Sequence, residues 1–216
     1  MKTPAFVVLS LLLLAQLETI PSALAQLIVI AESIPDPQGP DLAGYSVIIP
    51  ISKIKKVKNH WSEYIEQDSY GWRSGKNGIH RQKGMMESSI SSEKFTIYSE
   101  VVTTDSGVRL TVWFEQNDKA LVASESGDKL DLAIKKYIHD FAIKQYRDAI
   151  QIQLKEKQLH KRRKEMELAG LSNAQKNSST AQTHATFKEQ EKTILSSIEY
   201  QNVKMQELLD LMSSIR

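Results

Sequence analysis

The sequence predicts an α+β protein: a small antiparallel sheet with helices on one face, in the order β-α-β-β-β-α, extended by a long C-terminal helical hairpin or coiled coil. Three observations lead there. Between Phe95 and Glu115 apolar and polar residues alternate, as they do in strands with one buried face. From Asp128 to Ala169 no proline interrupts the chain. Apolar residues also recur seven apart on both of the last two helical segments, the period of a helix–helix seam.

Taken in order, residues 1–25 read as a secretory signal peptide. Lys2 supplies the positive start, "AFVVLSLLLLAQL" is too short for a span needing about 20 apolar residues, and Ala23-Leu24-Ala25 matches a peptidase site. Cleavage after Ala25 would make Gln26 the first mature residue. Residues 26–44, with "ESIPDPQGPDLAG", read as a linker or an extended arm, because proline removes backbone donors and disfavours helix before it.

Residues 45–127 form the expected α+β domain. "YSVIIP" is a short strand. Ile51, Ile54, Val57, Trp61, Tyr64 and Ile65 follow at helical spacing, and "GWRSGKNG" reads as a loop. Three strands come next, around Ile79–Ile90, around Phe95–Val101 and around Val108–Phe114, with "TDSG" as the tight connection between the last two.

Residues 128–169 are expected as one long helix that packs on the sheet and extends beyond it, with Asp131 in the favourable first turn and Gly170 as the stop. A polar loop, 170–185, then leads to a helix over 186–216, where Thr186 and Glu189 resemble a capping box. The seven-residue rows predict a seam of Ile138, Gln145, Ile152, Leu159 and Met166 against Phe187, Ile194, Gln201, Leu208 and Ile215. Folding back antiparallel sets Met166 by Phe187, Leu159 by Ile194 and Ile138 by Ile215. Two independent amphipathic helices, or helices that pair between chains, are the alternatives.

Composition excludes several functions. The chain has no cysteine, so disulfides, thiolate metal sites and cysteine catalysis are out. The five histidines are scattered, and none sits in a zinc or catalytic motif. Nucleophile elbow, P-loop and dinucleotide-binding glycine patterns are missing too. The sequence therefore nominates no catalytic, cofactor-binding or metal-binding residue. With a net charge of only +2 and a signal peptide, nucleic acid is not the expected partner.

Two basic clusters stand out as a contact surface for an anionic envelope or an acidic protein: Lys53, Lys55, Lys56 and Lys58, and then Lys161, Arg162, Arg163 and Lys164. Cations near a helix C-terminus are routinely favourable, which gives the second cluster a structural explanation. The first lies at a helix N-terminus, where cations are unfavourable, and is the better contact candidate.

"GVRLTVWFEQND", followed by "LDLAIKKYIHDFAIKQYRDAI" and a charged helix, resembles uncharacterised signal-peptide-bearing exported proteins of Bacteroidota over Tyr45 to Ala169. That resemblance implies export and carries no activity. In architecture alone, the small β-containing body with a basic hairpin is similar to periplasmic chaperones of the Skp kind, which implies client binding; the strand order differs and no motif accompanies the likeness.

The expectation is an exported protein, periplasmic or extracellular, with a non-enzymatic interaction or structural role. Its partner would be a protein or a second copy of itself bound through the helices, with membrane contact limited to the surface. A chaperone-like client binder and an enzyme with dispersed catalytic residues are the other two readings.

Overall fold

A computed structural model of the chain describes residues 30–34, 42–66, 72–74, 79–117, 119–120, 129–176 and 181–215. Ala23, Ala25 and Gln26, on which the signal-peptide reading rests, lie outside these residues.

The elements run β1 (Ile30–Ile34), β2 (Leu42–Ile49), α1 (Ile54–Glu66), β3 (Trp72–Ser74), β4 (Ile79–Met85), β5 (Phe95–Thr104), β6 (Gly107–Gln116), β7 (Lys119–Ala120), α2 (Lys129–Lys176) and α3 (Ala181–Ser214). The class is α+β, as the alternation and the long helical run predict. One antiparallel sheet has the order β1-β2-β6-β5-β4-β3, with β7 beside β6.

Two strands fall where the sequence reads a linker or extended arm, and a loop. Within 26–44, β1 pairs with β2 from Ile30↔Ser46 to Ile34↔Leu42. In "GWRSGKNG", β3 pairs Trp72 with Gln82. Such edge pieces are held by backbone hydrogen bonds, which impose little on side-chain pattern. The first helix starts at Ile54 rather than Ile51, since Ile51 takes φ 50° after Pro50 and stands 41% exposed.

The turn between β5 and β6 is as tight as "TDSG" suggests, with Thr104 paired to Gly107. Glycine is required there. Gly107 has φ 146°, and a Cβ would lie 2.5 Å from the carbonyl oxygen of Ile49.

One sheet face carries the core. Tyr45, Val47 and Ile49 of β2, Val108, Leu110 and Val112 of β6, and Phe95 and Ile97 of β5 are buried against Trp61 of α1 and Ile134, Ile138 and Phe141 of α2. Trp61 and Phe141 meet edge to face with ring centroids 4.9 Å apart, and burial of each such ring contributes about 1.5–3 kcal/mol. Asp131 is buried in the first turn of α2 and binds Lys135 at 2.8 Å, so helix dipole and ion pair act together. On the opposite face, Ile79, Tyr98 and Trp113 form a second cluster. Gly44 permits it: a Cβ there would lie 2.7 Å from Trp113 Nε1.

The helical half differs from expectation in three ways. First, α2 continues through Gly170 to Lys176, and α3 begins at Ala181, so most of the expected 170–185 loop is helix. Glycine inside a helix costs only about 1 kcal/mol relative to alanine; Leu168 and Leu171, both half-buried, flank it. Thr186 and Glu189 consequently lie inside α3 and do not cap it.

Second, the antiparallel register is slid. Arg147 rather than Ile138 reaches Ile215, its Nη2 donating to the Ile215 carbonyl at 3.0 Å. Lys164 and Leu171, rather than Leu159, line one cleft with Ile194. The slip is about two and a half turns.

Third, Leu159 and Met166 are not in the seam. They stand 48% and 61% exposed, whereas Ile194 and Leu208 are buried and Phe187 and Ile215 half-buried. The α3 row is thus as expected, and the distal α2 row is not. Ile138 is buried in the sheet core and Ile152 half-buried beside α1.

Candidate functional site

A helix turns 100° per residue, because 3.6 residues complete a circle. On distal α2 the half-buried residues Lys157, Lys161, Lys164, Leu168 and Leu171 share one arc, which faces α3. Beyond Leu154 no residue of α2 is buried. The lysines are half-buried along their aliphatic stems, and two of them reach carboxylates at the rim. Lys161 lies 3.8 Å from Glu165 and Lys164 lies 2.7 Å from Glu167.

The "KRRK" cluster is therefore divided. Lys161 and Lys164 belong to the inner arc, and Arg162 and Arg163 are exposed on other sides of the helix. Ile152, Leu159 and Met166 occupy the arc opposite α3, with Lys155, Arg162 and Arg163 at their flanks. Ile152 is half-buried against α1, while Leu159 and Met166 form an exposed apolar pair with a basic border.

The row begins at a small cleft between α1 and α2. The cleft encloses about 100 Å³ and is lined by Ile51, Lys53, Lys56 and Val57 on one side and by Asp148 and Ile152, among others, on the other. Ligand sites for small molecules usually span about 300–1,000 Å³. This cleft lies below that range, and its charges are mixed. Of the first basic cluster, Lys53, Lys55 and Lys56 are exposed, and Lys53 and Lys56 border the cleft; Lys58 is half-buried.

Within this cleft His60 joins the helices through a 2.7 Å hydrogen bond between its Nδ1 and Gln145 Oε1. His80 is pushed below its ordinary pKa, first by burial and then by the charge of Lys58. Among the described residues no group of three or more His, Cys, Asp or Glu could hold a metal ion, and no helix is long and apolar enough to cross a membrane.

A second outward row lies on α3 and was not apparent from the sequence. Leu195 and Leu209 are 48% and 44% exposed, with Glu199, Asn202, Gln206 and Asp210 exposed on the same arc. Their spacing of four, three, four and three could have revealed it, but the stronger row one residue away (Ile194, Gln201, Leu208) takes up the pattern.

No protein-family model, no curated protein and no solved structure matches the chain.

Proposed function

We propose that the protein is an exported, non-enzymatic interaction protein whose working surface is the outward face of the helical hairpin. The observation that carries this reading is the row Ile152, Leu159 and Met166. A helix that kept these residues only for its own packing would turn them inward, yet the two distal ones face solvent while lysines occupy the inner arc. Exposed apolar residues bordered by charge are the ordinary anatomy of a contact surface. Export rests on the signal-peptide pattern ending at Ala25.

Two measurements test the reading. N-terminal sequencing of the native protein is expected to begin at Gln26, and recovery of an intact leader in a membrane fraction contradicts export. Co-purification from the native envelope is expected to retain a protein, either another species or an untagged copy of this chain. The double variant Leu159→Asp, Met166→Asp should lose it. Equal recovery with both baits contradicts the working surface.

A further inference from the structure

The two ends of α3 rest on different supports. Toward its C-terminus the helix joins the main core: Leu208 is buried there, and Met205, Leu211, Met212 and Ile215 pack against it. The same turns are braced within the helix, by Lys204 with Glu207 and Gln206 with Asp210, both at 2.8 Å. The earlier turns lie along distal α2, where no residue beyond Leu154 is buried. Ile194 is buried in that contact but belongs to neither core cluster.

Two features make the distal contact easy to break. Gln201 is 7% exposed, and its Oε1 is buried with no hydrogen-bond partner among the described residues. A buried acceptor left unpaired has lost its hydration without compensation, and parting the helices returns it to water. Beside Ile194 an open cleft of about 410 Å³, lined by Lys164, Leu171 and Ser197 among others, already separates the helices, so their surfaces meet incompletely there. Little opposes the parting. Lys161 with Glu165 and Lys164 with Glu167 are paired within α2 and survive it.

We infer that α3 from Ala181 to Gln201 is a strap that comes off α2 as one unit, while the turns from Met205 onward stay on the sheet core. Asn202 and Val203, both exposed and both weak helix formers, mark the joint. The closed form is the resting one and the open form the minor one. Opening bares Ile194 and the half-buried Phe187 and Ile198, an apolar face that the closed hairpin hides. The inference is independent of the outward face of α2, which is the same in both forms.

Amide exchange followed by NMR on the purified protein at neutral pH tests it. Off α2, a helix of about twenty residues is marginal in water, so its amides exchange at each opening. Residues 187–201 should share one rate, at least about tenfold faster than residues 205–214. Gln201→Leu removes the unpaired oxygen and should slow that shared rate at least about fivefold, leaving 205–214 unchanged. A second handle needs no change at Gln201. With cysteines at 168 and 194 joined, exchange over 187–201 should fall toward that of 205–214, and reduction should restore it. Equal protection of the two segments in the wild type overturns the inference. So does a rate that falls residue by residue from 187, which is fraying, and so does fast exchange that persists in either Gln201→Leu or the crosslinked form.

Discussion

Arg147 Nη2 donates a hydrogen bond to the backbone carbonyl of Ile215 at 3.0 Å, and this contact between α2 and the end of α3 marks the register of the hairpin. From it, Leu168 falls opposite Ile194. Cysteines introduced at those two positions of this cysteine-free chain should crosslink within one monomer under mild oxidation. The pair at 159 and 194 should not, because Leu159 lies on the far side of its helix. Non-reducing electrophoresis distinguishes the outcomes.

The same register separates two substitutions that look alike. Ile194→Asp places a carboxylate at a buried seam position and should cost roughly 2–4 kcal/mol. Leu159→Asp should change stability by less than about 0.5 kcal/mol, since the site is exposed. Urea denaturation of the two variants decides it; equal losses would return Leu159 to the seam.

Glycines offer opposite signs. Nothing lies within 4 Å of a Cβ built on Gly170, inside α2, so Gly170→Ala should stabilise the protein by about 0.5–1 kcal/mol. Gly107→Ala meets the Ile49 carbonyl at φ 146° and should destabilise by at least about 1–3 kcal/mol. Thermal melts of both variants provide the measurement.

The second face of the sheet predicts an alkaline response. Burial, and then a 2.5 Å hydrogen bond from the Tyr98 hydroxyl to Glu115, raise the Tyr98 pKa from 10.0 to about 12. Below about pH 10 the phenol is neutral in folded and unfolded chains alike. As pH rises from about 10 to about 12 the unfolded chain ionises first, so stability falls across that window. Glu115→Ala should lower the Tyr98 midpoint while leaving it above the ordinary value, because burial is the larger cause. Ultraviolet titration of phenolate in wild type, Glu115→Ala and Tyr98→Phe reads this.

Much of the fold was legible in the sequence because the alternation of Val108, Leu110, Val112 and Phe114 has one physical explanation, a strand over a core. The row Ile194, Gln201 and Leu208 was legible for the same reason. The distal face of α2 was not. Its inner arc is built from Lys157, Lys161 and Lys164, half-buried along their stems, and Leu159 and Met166 face outward. Hydrophobic periodicity assumes that apolar means inward, so it selected Leu159 and Met166 for the seam. The error itself marks the candidate surface. The pairing of β1, within the segment read as linker or arm, and the strand β3 were not legible, because backbone pairing at a sheet edge leaves little trace in side-chain order.

The central claim, that the outward row of α2 is a protein-binding surface, is tested most directly by a photo-activated crosslinking side chain placed at 159 in the exported protein in living cells, with 48 on the sheet and 194 in the seam as controls. Adducts to a second protein chain, whether another copy or a different species, are expected from 159. Position 48, also exposed, should give none, and 194 should link only within the chain. Absence of adducts at 159, or equal yields at 159 and 48, would contradict the account.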